Sequence, residues 1–340
     1  MDIEFHYYIT YLTAARAGLT PETAEVIAYS SQYVDENNRV LHINPNQSNY
    51  YKNYITQTMN ILKPSDELMR IYPVFHFIPG DPLSPTAQRK DGKLHQLNTT
   101  PNSKNANLIF DAAIESRNLY RIGIAAHSYV DTWAHQNFVG YYDAFNQMSG
   151  LLSRALPNIG HADAKHFPDW PALIWRDCRL SKETVDNKQR FLDAATHLFI
   201  KLRRYIVSDC SDEETTRDTK SLVNDLEQAI GPTDPTNQYK SLRIQRYRDL
   251  SQQKAYGGRR LAIFDPKAWF QQAIEHQIRG ISDEIMFLAR FNPWKDSYFW
   301  KDNYQNSHWY KFQEAAKLQQ KTSWKILLAS SFRGLTLTKL

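Results

Sequence analysis

His127, Asp131 and His135 recur at intervals of four within the stretch AAHSYVDTWAHQNF, residues 125–138. An α-helix turns about 100° per residue, so a step of four returns a side chain to within roughly 40° of its predecessor. If the segment is helical, the three groups share one narrow stripe. Such a stripe is one wall of a divalent-metal site, a hydrogen-bonded core network or a solvated polar face. Zinc accepts both imidazole nitrogen and carboxylate oxygen, and a bridging carboxylate can hold two ions a few ångströms apart. The small residues Ala125, Ala126 and Ala134 let backbones converge on such a centre, and Trp133 and Phe138 supply an apolar surround. A buried Asp131 needs a cation or several donors beside it.

Further ligand-type residues lie elsewhere. Asp2 and His6 are also four apart. Asp35 falls where a helical pattern gives way to loop, and a carboxylate at a helix C-terminus is unfavourable with the dipole and wants a cation. His42 and His76 sit in or beside irregular stretches, and His161, Asp163, His166 and Asp169 crowd a later loop. His95, His197, His276 and His308 have no evident partners and are read as structural or exposed.

This ordered series resembles the zinc-dependent phospholipase C and P1-type nuclease superfamily, whose helical fold carries a three-zinc phosphodiesterase centre. HSYVD matches its His-x-x-x-Asp pair. The resemblance covers roughly residues 1–170. It implies Met1 or Asp2 with His6, then Asp35, then His76 (His42 as second choice), then His127, Asp131, His135 and His161 as metal ligands. The acidic partner expected four residues after His161 falls on Lys165, so Asp163, His166 or Asp169 takes that place. Asp131 is then the bridging ligand, and Asp35 is a ligand or the base for an attacking water. The implied cofactor is zinc, two or three ions. AYSSQYVD and HSYVDTWAHQNF also resemble segments of bacterial proteins of unknown function.

Other hydrolytic chemistries lack their residues. No Gly-x-Ser-x-Gly nucleophile elbow and no phosphate-binding loop of the nucleotide triphosphatases occurs. An adjacent His-Asp pair, the mark of another metal-dependent hydrolase class, is also missing. Magnesium or calcium would call for more carboxylates than this histidine-rich set, while iron is compatible with the ligand types.

The elements that must position these groups read as mostly helical. Residues 3–17 form a first helix stopped by Gly18; Thr20 caps a second, with Pro21 at its first position, that ends near Asp35. The prolines and glycines of residues 75–93 mark an irregular segment. Residues 105–118 and 119–138 are two more helices with a stop at Gly140, and 156–171 is again irregular. Residues 188–206, 269–291 and 309–330 carry long amphipathic patterns, and the acidic stretch at 208–228 turns into a helix. The expected fold is therefore all-α: a multi-helical metallohydrolase-like core over residues 1–180, and additional C-terminal helices over 181–340 packed on it. Residues 231–241, GPTDPTNQYKS, are the linker candidate.

Composition narrows the partners. With 340 residues, 42% hydrophobic, the chain can build a large core; its formal charge of +5 permits an acidic substrate without requiring one. Basic clusters do not alternate with aromatics as in nucleic-acid modules, so nucleic acid is the weaker partner. The expected partner is a phosphoester-containing small molecule or phospholipid head group. The aromatic tract from Trp294 to Tyr310, with Pro293 turning the chain before it, is read first as helix packing and second as a substrate or membrane groove. Cys178 and Cys210 lack metal-pair spacing. The N-terminal residues do not read as a secretory signal, and no apolar run approaches a membrane span. The expectation is a cytoplasmic protein, or one exported without such a signal. The leading functional expectation is a phospholipase C-like or phosphodiesterase metalloenzyme; the alternative is a non-catalytic, metal-stabilised helical binding protein.

Overall fold

The computed structural model describes residues 1–58, 65–148, 159–207, 211–280 and 294–335. The chain opens in a single turn of π-helix, Glu4–Ile9, that runs into helix α1 (Thr10–Arg16). Every residue of that turn is buried, and π-turns concentrate at functional sites. Helix α2 (Pro21–Glu36) follows, with the Thr20 side chain accepting from the Thr23 N–H and Pro21 at the first position. Two short strands, β1 (His42–Ile43) and β2 (Tyr51–Lys52), precede the short helices α3 (Ser65–Met69) and α4 (Tyr72–Phe75). Helix α5 (Lys104–Glu115) is capped by Ser103, and α6 (Leu119–Ala134) by Asn118, whose carboxamide oxygen accepts from the Tyr120 and Arg121 N–H groups.

After a loop come the hairpin strands β3 (Ile174–Arg176) and β4 (Thr184–Asp186), then helices α7 (Asn187–Ile206), α8 (Asp212–Ile230) and α9 (Lys240–Leu250). The short α10 (Ala268–Ala273) runs directly into β5 (Ile274–Gly280); β6 (Trp294–Trp300) pairs with it, and α11 (His308–Leu328) ends the described fold. The four-stranded sheet has the order β2-β1-β6-β5, with β1 parallel to β6 through Ile43 opposite Tyr298.

The fold is largely helical and multi-helical, as expected, with minor strand content in addition. The largest departure falls on 269–291. Its helix stops at Ala273, and Ile274 turns extended (φ −121°, ψ 131°) to pair with Trp300. A partner strand carrying Tyr298, Phe299 and Trp300 has strong β preference, and that tertiary pairing outweighs the local amphipathic pattern. Residues 281–291 of that segment lie outside the described residues, as do Pro293 and Cys210. Helix α6 also ends earlier than Gly140. Past His135 the chain pairs with a neighbouring loop, the Asn137 N–H donating to the Thr99 carbonyl and Thr99 N–H to that of Phe138.

Helices α2 and α6 pack against each other at a glycine. At Gly123 a Cβ would stand 2.4 Å from the Ile27 carbonyl oxygen and 2.5 Å from the Ser30 Cβ, so only glycine lets the two helices approach this closely. The main core draws on both sides of residue 180, from Phe5, Ile27, Phe110 and Val130 to Leu198, Leu226, Tyr247 and Phe312. Within residues 231–241 Asp234 is buried and its N–H donates to the Ala172 carbonyl, while most of its neighbours are exposed. Trp309 is buried in the same core. A smaller cluster of Phe77, Phe138, Leu173, Trp175, Leu180 and Val185 stands beside it. Among the described residues, no helix is long and apolar enough to cross a membrane.

Candidate metal centre

Five separate pieces of chain converge at one end of the α2–α6 pair. The π-turn brings Met1 and His6, the last turn of α2 brings Asp35, and His76 caps the end of α4. Helix α6 carries His127 and Asp131 one turn apart, with His135 at its C-cap. Two short 3-10 turns place His161 and Asp169 in the loop beyond. Together they form three groups of potential metal ligands: His6, His127 and Asp131; Asp35, His76 and His127; and His135, His161 and Asp169. Within each group the ligand atoms lie within 4.8 Å of one another.

Asp131 stands at the middle, 1% exposed. Its Oδ1 is 2.5 Å from the Met1 amine and 3.2 Å from His6 Nε2. Its Oδ2 faces His127 Nε2 at 3.3 Å and His76 Nδ1 at 3.5 Å. Asp35 closes the second group, with Oδ1 at 3.7 Å from His127 Nε2 and 3.8 Å from His76 Nδ1. In the third, Asp169 reaches His135 Nε2 and His161 Nε2, both at 3.7 Å.

The outer hydrogen bonds decide which ring nitrogens carry hydrogens. His127 Nδ1 stands 2.8 Å from the Ser31 carbonyl, His76 Nε2 3.0 Å from that of Thr56, His135 Nδ1 2.8 Å from that of His76, and His161 Nδ1 2.7 Å from that of Lys165. A carbonyl oxygen only accepts, so each of these nitrogens must donate. The opposite nitrogen of each neutral ring then turns a lone pair inward. His127 Nε2 and His76 Nδ1 face each other at 3.1 Å, with carboxylate oxygens on both sides. Lone pairs so arranged repel unless a cation or a proton lies between them. Asp131 Oδ2 and both His6 nitrogens are buried without a hydrogen-bond partner. This donor set fits divalent metal: inward imidazole nitrogen and carboxylate oxygen, outward N–H groups anchored on backbone.

For His6, His135 and Asp131 the electrostatics agree, while Met1 and His76 favour a proton that a bound cation would displace. Burial, reinforced by the neighbouring His127, pushes His6 down to about 4. Burial also takes His135 to about 4 against the pull of Asp131, so both rings are neutral at pH 7. Asp131 is held well below the usual carboxylate range: burial opposes ionisation, but His135, the Met1 amine, His127 and His6 outweigh it. Burial alone would lower the Met1 amine, yet Asp131 and Asp169 raise it to about 10. His76 goes up because Asp131 and Asp35 outweigh its burial.

The remaining candidates lie elsewhere. Asp2 does not reach the centre: its carboxylate accepts from the Glu4 N–H at 2.9 Å and pairs with Lys240 at 2.8 Å, because Asp2 closes the first turn and its side chain folds back over it. The Met1 amine occupies the position instead. His42 is exposed and bonds Tyr50. Asp163 accepts from the Met148 N–H, and His166, largely exposed, reaches Asp169 only at 3.8 Å. His95 pairs with Asp143, His197 with Asn102, and His308 with Tyr120. Asp169 is the group that spacing alone did not single out. A cavity of about 710 Å³ opens over the centre, lined by Asp35, His76, Asp131, His135, His161 and Asp169 among others.

Residues 1–327 match a family of unknown function, DUF6765. The chain belongs to that family. No curated protein and no solved structure matches it. For this DUF6765 member the chemistry of the centre, rather than a relative's activity, must carry the functional reading.

Proposed function

We propose that this DUF6765 chain is a metal-dependent phosphoester hydrolase, with zinc the favoured ion and two or three ions in the centre. One observation carries the reading: the inward ring nitrogens of His76 and His127 converge in a buried site on the carboxylate of Asp131, while the outward nitrogen of each ring is already anchored on a backbone carbonyl. The likeness of the ordered ligand series to zinc-dependent phospholipase C and P1-type nucleases supports the same reading. When bound, such ions act as Lewis acids that draw charge from phosphoryl oxygens and make water acidic at neutral pH.

The residues divide the work. The two oxygens of Asp131 face different groups, so this carboxylate is the one that would be shared between ions held there. Met1 and His6 would hold an ion on one side, Asp35, His76 and His127 a second, and His135, His161 and Asp169 a third. Asp35 has the most open carboxylate of the set, at 29% side-chain exposure, and lines the cavity. It is therefore the group placed to accept a proton from an attacking water. The ligand class is a phosphodiester, either a phospholipid head group or a small-molecule diester.

The test is elemental analysis of protein purified without a metal-affinity column, followed by hydrolysis of bis-p-nitrophenyl phosphate and of phosphatidylcholine vesicles. Two or three zinc equivalents with turnover, both lost on chelation, are expected. Metal without turnover on any phosphoester would support the metal-stabilised binding protein instead. Absence of metal uptake on reconstitution would sink both readings.

A further inference from the structure

Asp2 and Glu4 lie between Met1 and His6, and both are held by one helix distant in sequence, α9. Lys240 and Arg243 are three apart on α9 and so share a face. Lys240 Nζ lies 2.8 Å from Asp2 Oδ2. Arg243 grips Glu4 with two bonds, Nε to Oε2 at 2.8 Å and Nη2 to Oε1 at 2.9 Å. Its remaining nitrogen, Nη1, bonds Asp234 at 2.7 Å, and Nη2 also donates to the Asn237 carboxamide oxygen. Glu4 and Arg243 are 0% and 1% exposed. A buried ion pair is weak evidence of stabilisation, since apolar residues of similar volume often do as well; its best-attested use is to fix register.

We propose that α9 is a positioning element of the centre: Lys240 and Arg243 fix Asp2 and Glu4 and thereby set the Met1 amine and His6 against Asp131. This rests on the metal-binding reading of the centre. The geometry explains why the register must be held. The π-turn has one hydrogen bond fewer than an α-helix of equal length, and Met1 precedes its first residue, so the turn's own hydrogen bonds do not fix the amine. The bidentate guanidinium fixes both the depth and the rotation of Glu4. Asp234 braces the guanidinium from behind, accepting from the Gln238 and Tyr239 N–H groups at 3.2 and 2.9 Å. Its own N–H donates to Ala172, three residues beyond Asp169. The clamp therefore also touches the loop that supplies the third group.

Arg243→Lys and Lys240→Met test the idea in the full chain. A lysine cannot reach both Glu4 oxygens and Asp234 together, and Lys240 is partly exposed, so its replacement leaves the core intact. Two readouts are taken: metal equivalents per chain, and the rate at which metal-free protein is labelled by an aldehyde selective for α-amines. Each variant is expected to lose the equivalent held by Met1, His6 and Asp131 while keeping the other two, and to label at least fivefold faster. Near-UV circular dichroism confirms that the fold is retained; should Arg243→Lys fail to fold, Lys240→Met alone decides. A folded variant with wild-type metal content and a wild-type labelling rate overturns the proposal. A wild-type chain that binds no metal defeats the hydrolase reading, and the labelling rates still decide whether α9 positions the amine.

Discussion

Replacing Asp131 with Asn keeps the shape of the side chain and removes its charge, so its consequences separate charge from packing. In the metal-free protein the Met1 ammonium loses its partner at 2.5 Å and keeps only Asp169 at 3.4 Å. Removing one member of a buried ion pair costs about 3–5 kcal/mol. Unfolding entropy runs at about 2.1 cal/mol/K per residue, roughly 0.7 kcal/mol/K for this chain, so Tm should fall by about 4–7 °C. Metal addition tests the bridging itself. Ligand at a thousandfold excess over Kd stabilises by about 4 kcal/mol per site, or roughly 6 °C on the same scale. Asp131 contributes oxygens to the His6 side and to the His76–His127 side, so Asp131→Asn leaves only the His135, His161 and Asp169 group whole. The assay is differential scanning calorimetry with and without zinc, beside elemental analysis. Wild type should rise by about three times the increment of the variant. A variant that is as stable as wild type without metal, or that gains the full increment with it, would refute the bridging role.

The other predictions test separate parts of the centre. His6 and His135 stay neutral in the fold down to about pH 4 but titrate near 6.5 when unfolded, so the unfolded chain binds more protons between those values. Metal-free protein should therefore lose stability as pH falls from 6.5 to 4, by roughly 3 kcal/mol per ring at about 1.4 kcal/mol per pH unit. Urea unfolding at pH 6.5 and 4.5 checks this, and equal midpoints would count against it. Glu4, raised to about 7 chiefly by burial, acts with opposite sign inside that window and offsets part of the loss, so the midpoints are compared with those of His6→Gln and His135→Gln; the raised His76 acts with opposite sign above pH 6.5. The Met1 amine contributes stability that is complete below pH 8 and lost as pH rises to about 10. Asp169→Ala should remove one metal equivalent, that of His135 and His161, while leaving the other two measurable by competition with a chromogenic chelator. Gly123→Ala should cost about 1–3 kcal/mol by forcing α2 and α6 apart, read from chemical denaturation, and should weaken metal binding because Asp35 and His127 sit on opposite sides of that contact.

The parts of the centre that were legible in the sequence are those whose spacing is set by a single helix. His127, Asp131 and His135 stand one turn apart, and the helix that carries them needs no long-range contact to bring them together. Thr20 and Pro21 likewise announce the start of α2. Asp2 and His6 offer the same interval of four and mislead, because the first turn is π rather than α and Asp2 is occupied in closing it. In the loops no period exists to read. His76 and His42 are equivalent on paper, and only the end of α4 turns one of them inward while the other takes the exposed position of β1. Asp169 becomes the partner of His161 because the chain reverses at Lys165, which takes a left-handed φ of +54° and offers its carbonyl to the ring.

Pairing across the chain leaves still less trace. The strand at Ile274–Gly280 depends on a partner whose first residue lies fourteen positions past its end. Glu4 and Arg243 are separated by 239 residues, and as isolated letters they are an ordinary acid and an ordinary base. Their meaning comes from burial, which turns an unremarkable charge into one that must be answered from a fixed direction. The centre thus combines two kinds of constraint. Helical spacing presents the ligands of α6 as a block, and the ion pairs of α9 hold in place the one segment, Met1 to His6, that no helix of its own length secures.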